Sequence, residues 1–499
     1  MERDEILALA HHNPDVLVTI IQSQEETIKS QKETIQNRDK TIQSFEGTVR
    51  QLEERITELE RQLAMNSQNS SFPPSSDGFK RPQKARPKGK NRPGGQKGHE
   101  GRTIKWRDNP DIIQIHRASH CDGCGASLAN VPAKSVQKRQ VHDIPPHHII
   151  ATEHQAETVV CPHCGKIHKG VFPEDVPAHI QYGPIIRALM VYFCIHQLIP
   201  YERTSEIFTD LYGCSPAKAT LMKSISNCTT NLEEFESQVK HLLSEAPILH
   251  VDETGLKLNK DRVWLHTAST DLLTLYGHHS TRGREAMDAI GVLPAFNGIM
   301  VHDCWNPYFK YQCDHAVCNA HILRDLTGIS ENFGQKWSEA LYDLLLEIYT
   351  AVKEAPESAN SLTQAEIEEF QRRYDDILEN GAAENPLSTE PAPKKRGPKK
   401  RTRAQNLIER CQKYKTEILR FMTDFRVPFT NNLAERDIRM VKVQQKISGS
   451  FRSDDGVANF CRVRGYVSTV KKNEGSVLAA IKGAFGEEPF MPTAAYRYS

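Results

Sequence analysis

Seven apolar residues spaced seven apart, Ile21, Ile28, Ile35, Ile42, Val49, Ile56 and Leu63, constrain the start of this chain more than any other feature. A strict heptad repeat keeps its apolar seam on one side of a helix only if the helix winds around a partner. These residues take the a positions, and Gln24, Gln31, Arg38, Phe45, Leu52 and Leu59 take the d positions. β-Branched a residues with leucine at d favour two parallel strands, and the polar d residues weaken the first half while setting register. Residues 1–65 are therefore expected to be a coiled-coil dimerisation segment, giving a homodimer or a higher oligomer.

The composition changes sharply after Met65. A Ser/Asn/Pro-rich stretch leads into eleven Lys or Arg and one acid, Glu100, between Lys80 and Arg107; Lys394–Arg403 adds seven cations and no acid. The net charge of +1 hides this segregation. Such blocks attract polyanions through counterion release, so residues 66–107 read as a basic Pro/Gly linker in which Lys88, Lys90 and Arg92 track a DNA backbone. Lys394–Lys400 resembles a minor-groove hook without its usual second arginine, and a nonspecific basic linker is the preferred reading there. No run of eighteen apolar residues occurs and the N-terminus lacks a signal-peptide pattern, so a soluble, cytoplasmic protein with no membrane partner is expected.

Twelve cysteines raise the question of disulfides, but four fall into Cys121-x-x-Cys124 and Cys161-x-x-Cys164. Two such knuckles supply four thiolates for one tetrahedral zinc ion, a closed structural set that folds its module. Residues 108–175 are thus expected to be a zinc-ribbon DNA-binding domain, with a strand over 149–160. Residues 176–245 read as helical, and 202–213 followed by 216–226 resembles a helix-turn-helix with Pro216 at a first helical position. Ordinary bundles turn in the same way.

Two apolar strands each end on an acid: 247–255 carries Asp252 and 298–305 carries Asp303. Alternation sends Glu253 and His302 to the faces opposite these aspartates. Further strands are expected at 262–268 and 272–277. A helix beginning near Asn432 buries Ala434, Ile438 and Val441 and carries Glu435 on a neighbouring stripe with Arg439, Lys442 and Lys446. Taken alone, Glu435 and Arg439 read as a surface ion pair. With the two aspartates, Glu435 completes a set of hard oxygen ligands suited to two Mg²⁺ or Mn²⁺ ions and in-line phosphoryl displacement. Arg436, Arg439, Lys442, Lys446 and Arg452 are the cations best placed for phosphates. Cys318-x-x-His321 reads as core, or as half of a metal site with Cys313.

His250–Gly255, Val301–Tyr308, Cys318–Arg324, Asn431–Arg436 and Lys446–Arg452, in that order, resemble transposases of the insertion sequence 66 family. Ser70–Gly78, Gly94–Gly101 and the cysteine pairs are similar to that family too. The resemblance implies a multidomain, mixed α/β chain with an RNase H-like catalytic core and a DDE triad of Asp252, Asp303 and Glu435. It implies a bacterial, nucleoid-associated enzyme that cuts DNA at the terminal inverted repeats of an element, joins the 3′-hydroxyl ends to target DNA, and works with accessory proteins encoded by the element. It also implies an insertion between Asp303 and Glu435, so the core is expected at 246–330 and 426–485, with a helical insertion and basic linker at 331–425 and a tail at 486–499. Helices are expected at 337–354, 364–378 and 404–425. Two rival readings are an RNase H-like structure-specific nuclease and a non-enzymatic DNA-binding repressor; the repressor would be indifferent to Asp252→Ala.

Overall fold

The computed structural model describes residues 3–66, 69–70, 106–143, 149–386, 401–486 and 488–496. Lys88, Lys90, Arg92 and most of both basic blocks lie outside the described residues. The chain forms two compact units: residues 1–80, 247–252 and 296–435, and residues 81–246, 253–295 and 436–499.

Helix α1 (Arg3–His12) precedes α2 (Pro14–Ala64), a 51-residue helix opened by proline and running unbroken through Gly47. At about 1.5 Å per residue it is roughly 75 Å long. It buries none of its residues: Ile28, Ile42 and Ile56 stay about half exposed, at 51%, 54% and 55%. The heptad stripe is thus present on a helix that buries none of its residues among the described residues.

A short antiparallel hairpin, β1 (Thr158–Val160) with β2 (Ile167–Lys169), follows. The strand expected over 149–160 is confined to its last three residues, because only these have a partner. Helices α3 (Pro184–Val191), α4 (Tyr201–Tyr212), α5 (Lys218–Asn231) and α6 (Glu233–Ser244) come next. Gly213 closes α4 at φ 69, the left-handed geometry that glycine adopts at no steric cost. The helix-turn-helix outline is present, but α5 starts at Lys218 rather than Pro216. The Pro216 carbonyl instead accepts the Ser205 hydroxyl.

Strands β3 (Ile248–Leu258), β4 (Asp261–Ser269) and β5 (Thr274–His279) form a meander, followed by α7 (Arg284–Ile290), β6 (Ile299–His302) and β7 (Asp314–Val317). The sheet order is β5-β4-β3-β6-β7, parallel at β3–β6 and β6–β7 and antiparallel at β4–β5. Asp252 was expected at a strand end, but β3 runs on to Leu258. Its parallel register with β6 stops at His250–Val301, so Asp252 sits just past that pairing rather than at the end of the strand.

Helices α8 (Asn319–Phe333), α9 (Lys336–Glu354), α10 (Gln364–Glu384), α11 (Arg403–Lys413) and α12 (Lys415–Thr423) complete the first unit. Thr363 with Glu366 and Thr402 with Gln405 form capping boxes that start α10 and α11. The single helix expected over 404–425 is two, broken at Tyr414. One apolar core joins Ile248, Ile299, Val301 and Ala316 of the sheet to Ile322, Leu326, Trp337, Leu341, Tyr374 and Leu407 of these helices. The helices therefore cover the sheet face from which those four strand residues project.

Helix α13 (Asn432–Ser448) begins where the Asn-Asn run predicts, and Ala434, Ile438 and Val441 are buried as expected. Helices α14 (Asp454–Lys472) and α15 (Val477–Gly483) belong to the second unit, where α14 packs against β5.

Candidate active site

Both of the first two acids lie just beyond the pairing of adjacent parallel strands. His250 lies opposite Val301, and His302 opposite Val317. One or two residues further along these three adjacent parallel strands come Asp252, Asp303 and Cys318, so the three share one row. The Cys318 amide donates to the His302 carbonyl at 2.8 Å, carrying the ladder to that row. Neighbouring strands stand about 4.8 Å apart and register partners project from the same face. Asp252 and Asp303 are half-buried. Cys304 adopts a left-handed φ of 71, costly for a residue with a Cβ, and turns the chain so that the Trp305 amide donates to Asp303 Oδ1 at 3.0 Å.

Asn431, at 1% exposure, ties the start of α13 to this row. Its side chain meets His250 Nδ1 at 2.8 Å and donates to the Val251 carbonyl at 2.8 Å, while its amide donates to Cys318 Sγ at 3.1 Å. The Asn431 carbonyl accepts the Glu435 amide. One turn on, Glu435 Oε1 lies 4.0 Å from Cys318 Sγ and 3.9 Å from His321 Nδ1. Burial, aided by Arg324, pulls the His321 imidazole below its usual range, and the charges of Glu435 and Asp303 oppose that pull. Burial pushes the Cys318 thiol up to about 11. Among the described residues, Cys318, His321 and Glu435 are the one group of three metal-ligating side chains whose donor atoms lie within 4.8 Å of one another. Asp252 and Asp303 are not part of that group. Cys313 faces His315 at 4.0 Å and is not part of the group.

Asn431→Ala is expected to remove the side-chain bonds to His250 and to the Val251 carbonyl, a loss of about 0.5–1.5 kcal/mol for each. A denaturant midpoint that does not move would show that the clamp contributes nothing.

The opposite faces carry what alternation predicts. His302 is fully buried against His315, Tyr308 and Phe309, and burial pushes its imidazole down to about 3. Glu253 pairs with Arg282 in the second unit.

In the second unit Arg436, Arg439, Lys446 and Arg452 are exposed. Lys442 is half-buried, donates to the Gly255 carbonyl, and is held below the usual ammonium range by burial and by Arg262. It is thus less open to a phosphate than its neighbours on the helix. Sequence reasoning missed Asp437, which is buried and meets Lys472 at 2.7 Å, the Ser269 hydroxyl at 2.8 Å and the Thr274 hydroxyl at 3.2 Å. It missed Asn431 as well. Both stand beside the acid that drew attention, and nothing in their spacing distinguishes a buried clamp from a helix start.

The two cysteine pairs form matching knuckles. In each, the first cysteine's carbonyl accepts the amide of a left-handed glycine, Gly125 at φ 73 or Gly165 at φ 69. Amides of Gly123 and Cys124 lower the Cys121 thiol, and amides of Cys164 and His163 lower Cys161. Amides aimed at sulfur favour the thiolate that zinc requires, so each knuckle suits zinc, while no three of the four sulfurs lie within 4.8 Å of one another.

No helix among the described residues is long and apolar enough to cross a membrane. Among solved structures, the Drosophila P element transposase strand transfer complex is similar over 61% of this chain and 95% of that chain, at 9% identity and a TM-score of 0.31. A search of curated proteins finds no match. Residues 20–105 match a family of unknown function, DUF6444, and residues 118–165 match the zinc-finger binding domain of transposase IS66. Residues 179–459, more than half the chain and including all three acids and the Cys318–His321 pair, match the model of the transposase IS66 family, and the chain belongs to that family.

Proposed function

We propose that this transposase cleaves the ends of an insertion sequence and joins the 3′-hydroxyl ends to target DNA, using Asp252, Asp303 and Glu435 as the carboxylates of an RNase H-like core. The observation that carries the reading is the shared row of Asp252, Asp303 and Cys318, with Glu435 beside Cys318. The meander β3–β4–β5, continued by parallel β6 and β7, is the sheet expected of such a core. The three half-buried carboxylates are an oxygen donor set that fits two Mg²⁺ or Mn²⁺ ions. Such ions, when bound, activate the attacking oxygen and stabilise the leaving one. The chain's own part is to hold the carboxylates: Asn431 fixes the start of the Glu435 helix against β3, and the turn at Cys304 sets Asp303. Exposed Arg436, Arg439, Lys446 and Arg452 bind phosphates, and four-cysteine zinc folds the end-binding module. The enzyme acts on the bacterial nucleoid together with accessory proteins of its element.

The deciding experiment incubates purified protein, Mg²⁺ and the element's accessory proteins with DNA carrying the terminal inverted repeats and a target plasmid. Joined products are expected. Cutting of branched substrates without any requirement for the repeats would favour the structure-specific nuclease instead.

The exposed heptad face of α2 supports a parallel coiled-coil dimer. Removing residues 1–65 is expected to reduce the sedimentation coefficient to that of a monomer; an unchanged oligomer would place self-association elsewhere.

A further inference from the structure

We propose that Cys318, His321 and Glu435 form a three-ligand site for a transition-metal cation of the zinc class, and that filling it withdraws Glu435 from Mg²⁺-dependent cleavage. The second half rests on the catalytic reading above.

Cys318 and His321 stand three residues apart at the start of α8, so one helical turn presents thiol and imidazole on a common side. Glu435 arrives from α13. Its Oε1 is 4.0 Å from the sulfur and 3.9 Å from His321 Nδ1. Tetrahedral zinc, with bonds of about 2.3 Å to sulfur and about 2.0–2.1 Å to nitrogen and oxygen, spaces its ligand atoms roughly 3.5 Å apart. Closing the two gaps to Glu435 therefore requires a shift of about half an ångström, within the reach of a half-buried glutamate, and the Cys318 and His321 donor atoms lie within 4.8 Å of one another.

Two observations beyond the cluster point to a ligand. His321 Nδ1 is buried and makes no hydrogen bond. Cys318 Sγ receives the Asn431 amide at 3.1 Å and sits at the N-terminus of the 15-residue helix α8, so that amide and the helix dipole offset part of the burial that raises the thiol, and a bound cation would complete the offset. Thiol, imidazole and carboxylate together select zinc or cobalt over Mg²⁺, which prefers oxygen alone. Three protein ligands leave a fourth position open, unlike the closed four-cysteine set. A carboxylate held this way is no longer available to an all-oxygen site.

The test uses full-length protein stripped of metal and titrated with Co²⁺, reading thiolate-to-cobalt charge-transfer absorption and bound equivalents. Wild type is expected to take two equivalents, one at the four cysteines and one here. A Cys121→Ser, Cys161→Ser protein should keep the second, and Cys318→Ala should lose it. His321→Gln, at a less buried position, checks the same site should Cys318→Ala not fold, and should weaken the second equivalent by about tenfold or more. Wild-type stoichiometry and spectrum in Cys318→Ala, or in His321→Gln where Cys318→Ala does not fold, overturn the site. In Mg²⁺ reactions, micromolar Zn²⁺ should inhibit wild type and leave His321→Gln at its own zinc-free rate; equal inhibition overturns the competition. A wild type that never cleaves sinks the catalytic reading and the competition with it, and the cobalt stoichiometry then decides the site alone.

Discussion

Glu435→Gln is expected to lower strand cleavage by more than about a hundredfold while leaving affinity for the element's ends unchanged. Removing even the outer partners of a metal site typically costs about 10–100-fold, and loss of a ligand exceeds that. The amide keeps the shape of the carboxylate and one oxygen but loses the charge that a divalent cation needs. Glutamine at this position keeps the helix intact, since the turn is held by the Asn431 carbonyl and by buried Ala434. Asp252→Asn and Asp303→Asn should behave alike, because register places both in one row. Arg439→Ala should instead weaken DNA binding and flatten its salt dependence by about one unit of slope, with cleavage at saturating protein retained. Cleavage by Glu435→Gln at the wild-type rate would return that helix to a purely structural role, and lost DNA binding with an intact zinc module would do the same.

Asp437→Ala is expected to destabilise the fold by about 3–5 kcal/mol, the usual cost of leaving one member of a buried ion pair alone. Lys472 is 10% exposed at its side chain and Asp437 8%. Burial pulls the Lys472 ammonium below its usual range, and Asp437 opposes that pull. The same carboxylate accepts the hydroxyls of Ser269 and Thr274, and the Asp437 carbonyl accepts Tyr276 Oη, so one residue satisfies groups from β4, β5 and α14. Truncation takes the one carboxylate from all three side-chain donors at once, and the Lys472 ammonium is left with neutral acceptors such as the Thr270 and Leu273 carbonyls, each at 2.8 Å. Urea unfolding followed by circular dichroism checks this, and an unchanged midpoint would mean that Lys472 reaches water by another route. The double variant Asp437→Ala, Lys472→Met should recover part of the loss, since removing both charges removes the uncompensated one.

The two variants concern neighbouring acids on one helix, and they separate what could be read in the chain from what could not. The helix itself was legible: the Asn-Asn start and the Ala434, Ile438, Val441 stripe follow from backbone capping and a 3.6-residue period. The long α2, the alternation that turns Glu253 and His302 away, and the paired Cys-x-x-Cys knuckles were legible for the same reason. Each is a local pattern whose cause lies within a few residues. The break at Tyr414, the start of α5 beyond Pro216 and the run of β3 past Asp252 were not, because a partner element decides where a strand or helix stops.

Residue type and spacing alone determined that this chain carries three separated acids with cations beside the last, a heptad face and two thiol pairs. Tertiary structure alone decided that Asp252 and Asp303 share a row with Cys318, that Asn431 is the clamp, and that the acid beside the cysteine and histidine is Glu435 while Asp437 is a buried counter-ion. Parallel register and side-chain burial are set by strands and helices far apart in the chain, and no local period encodes them.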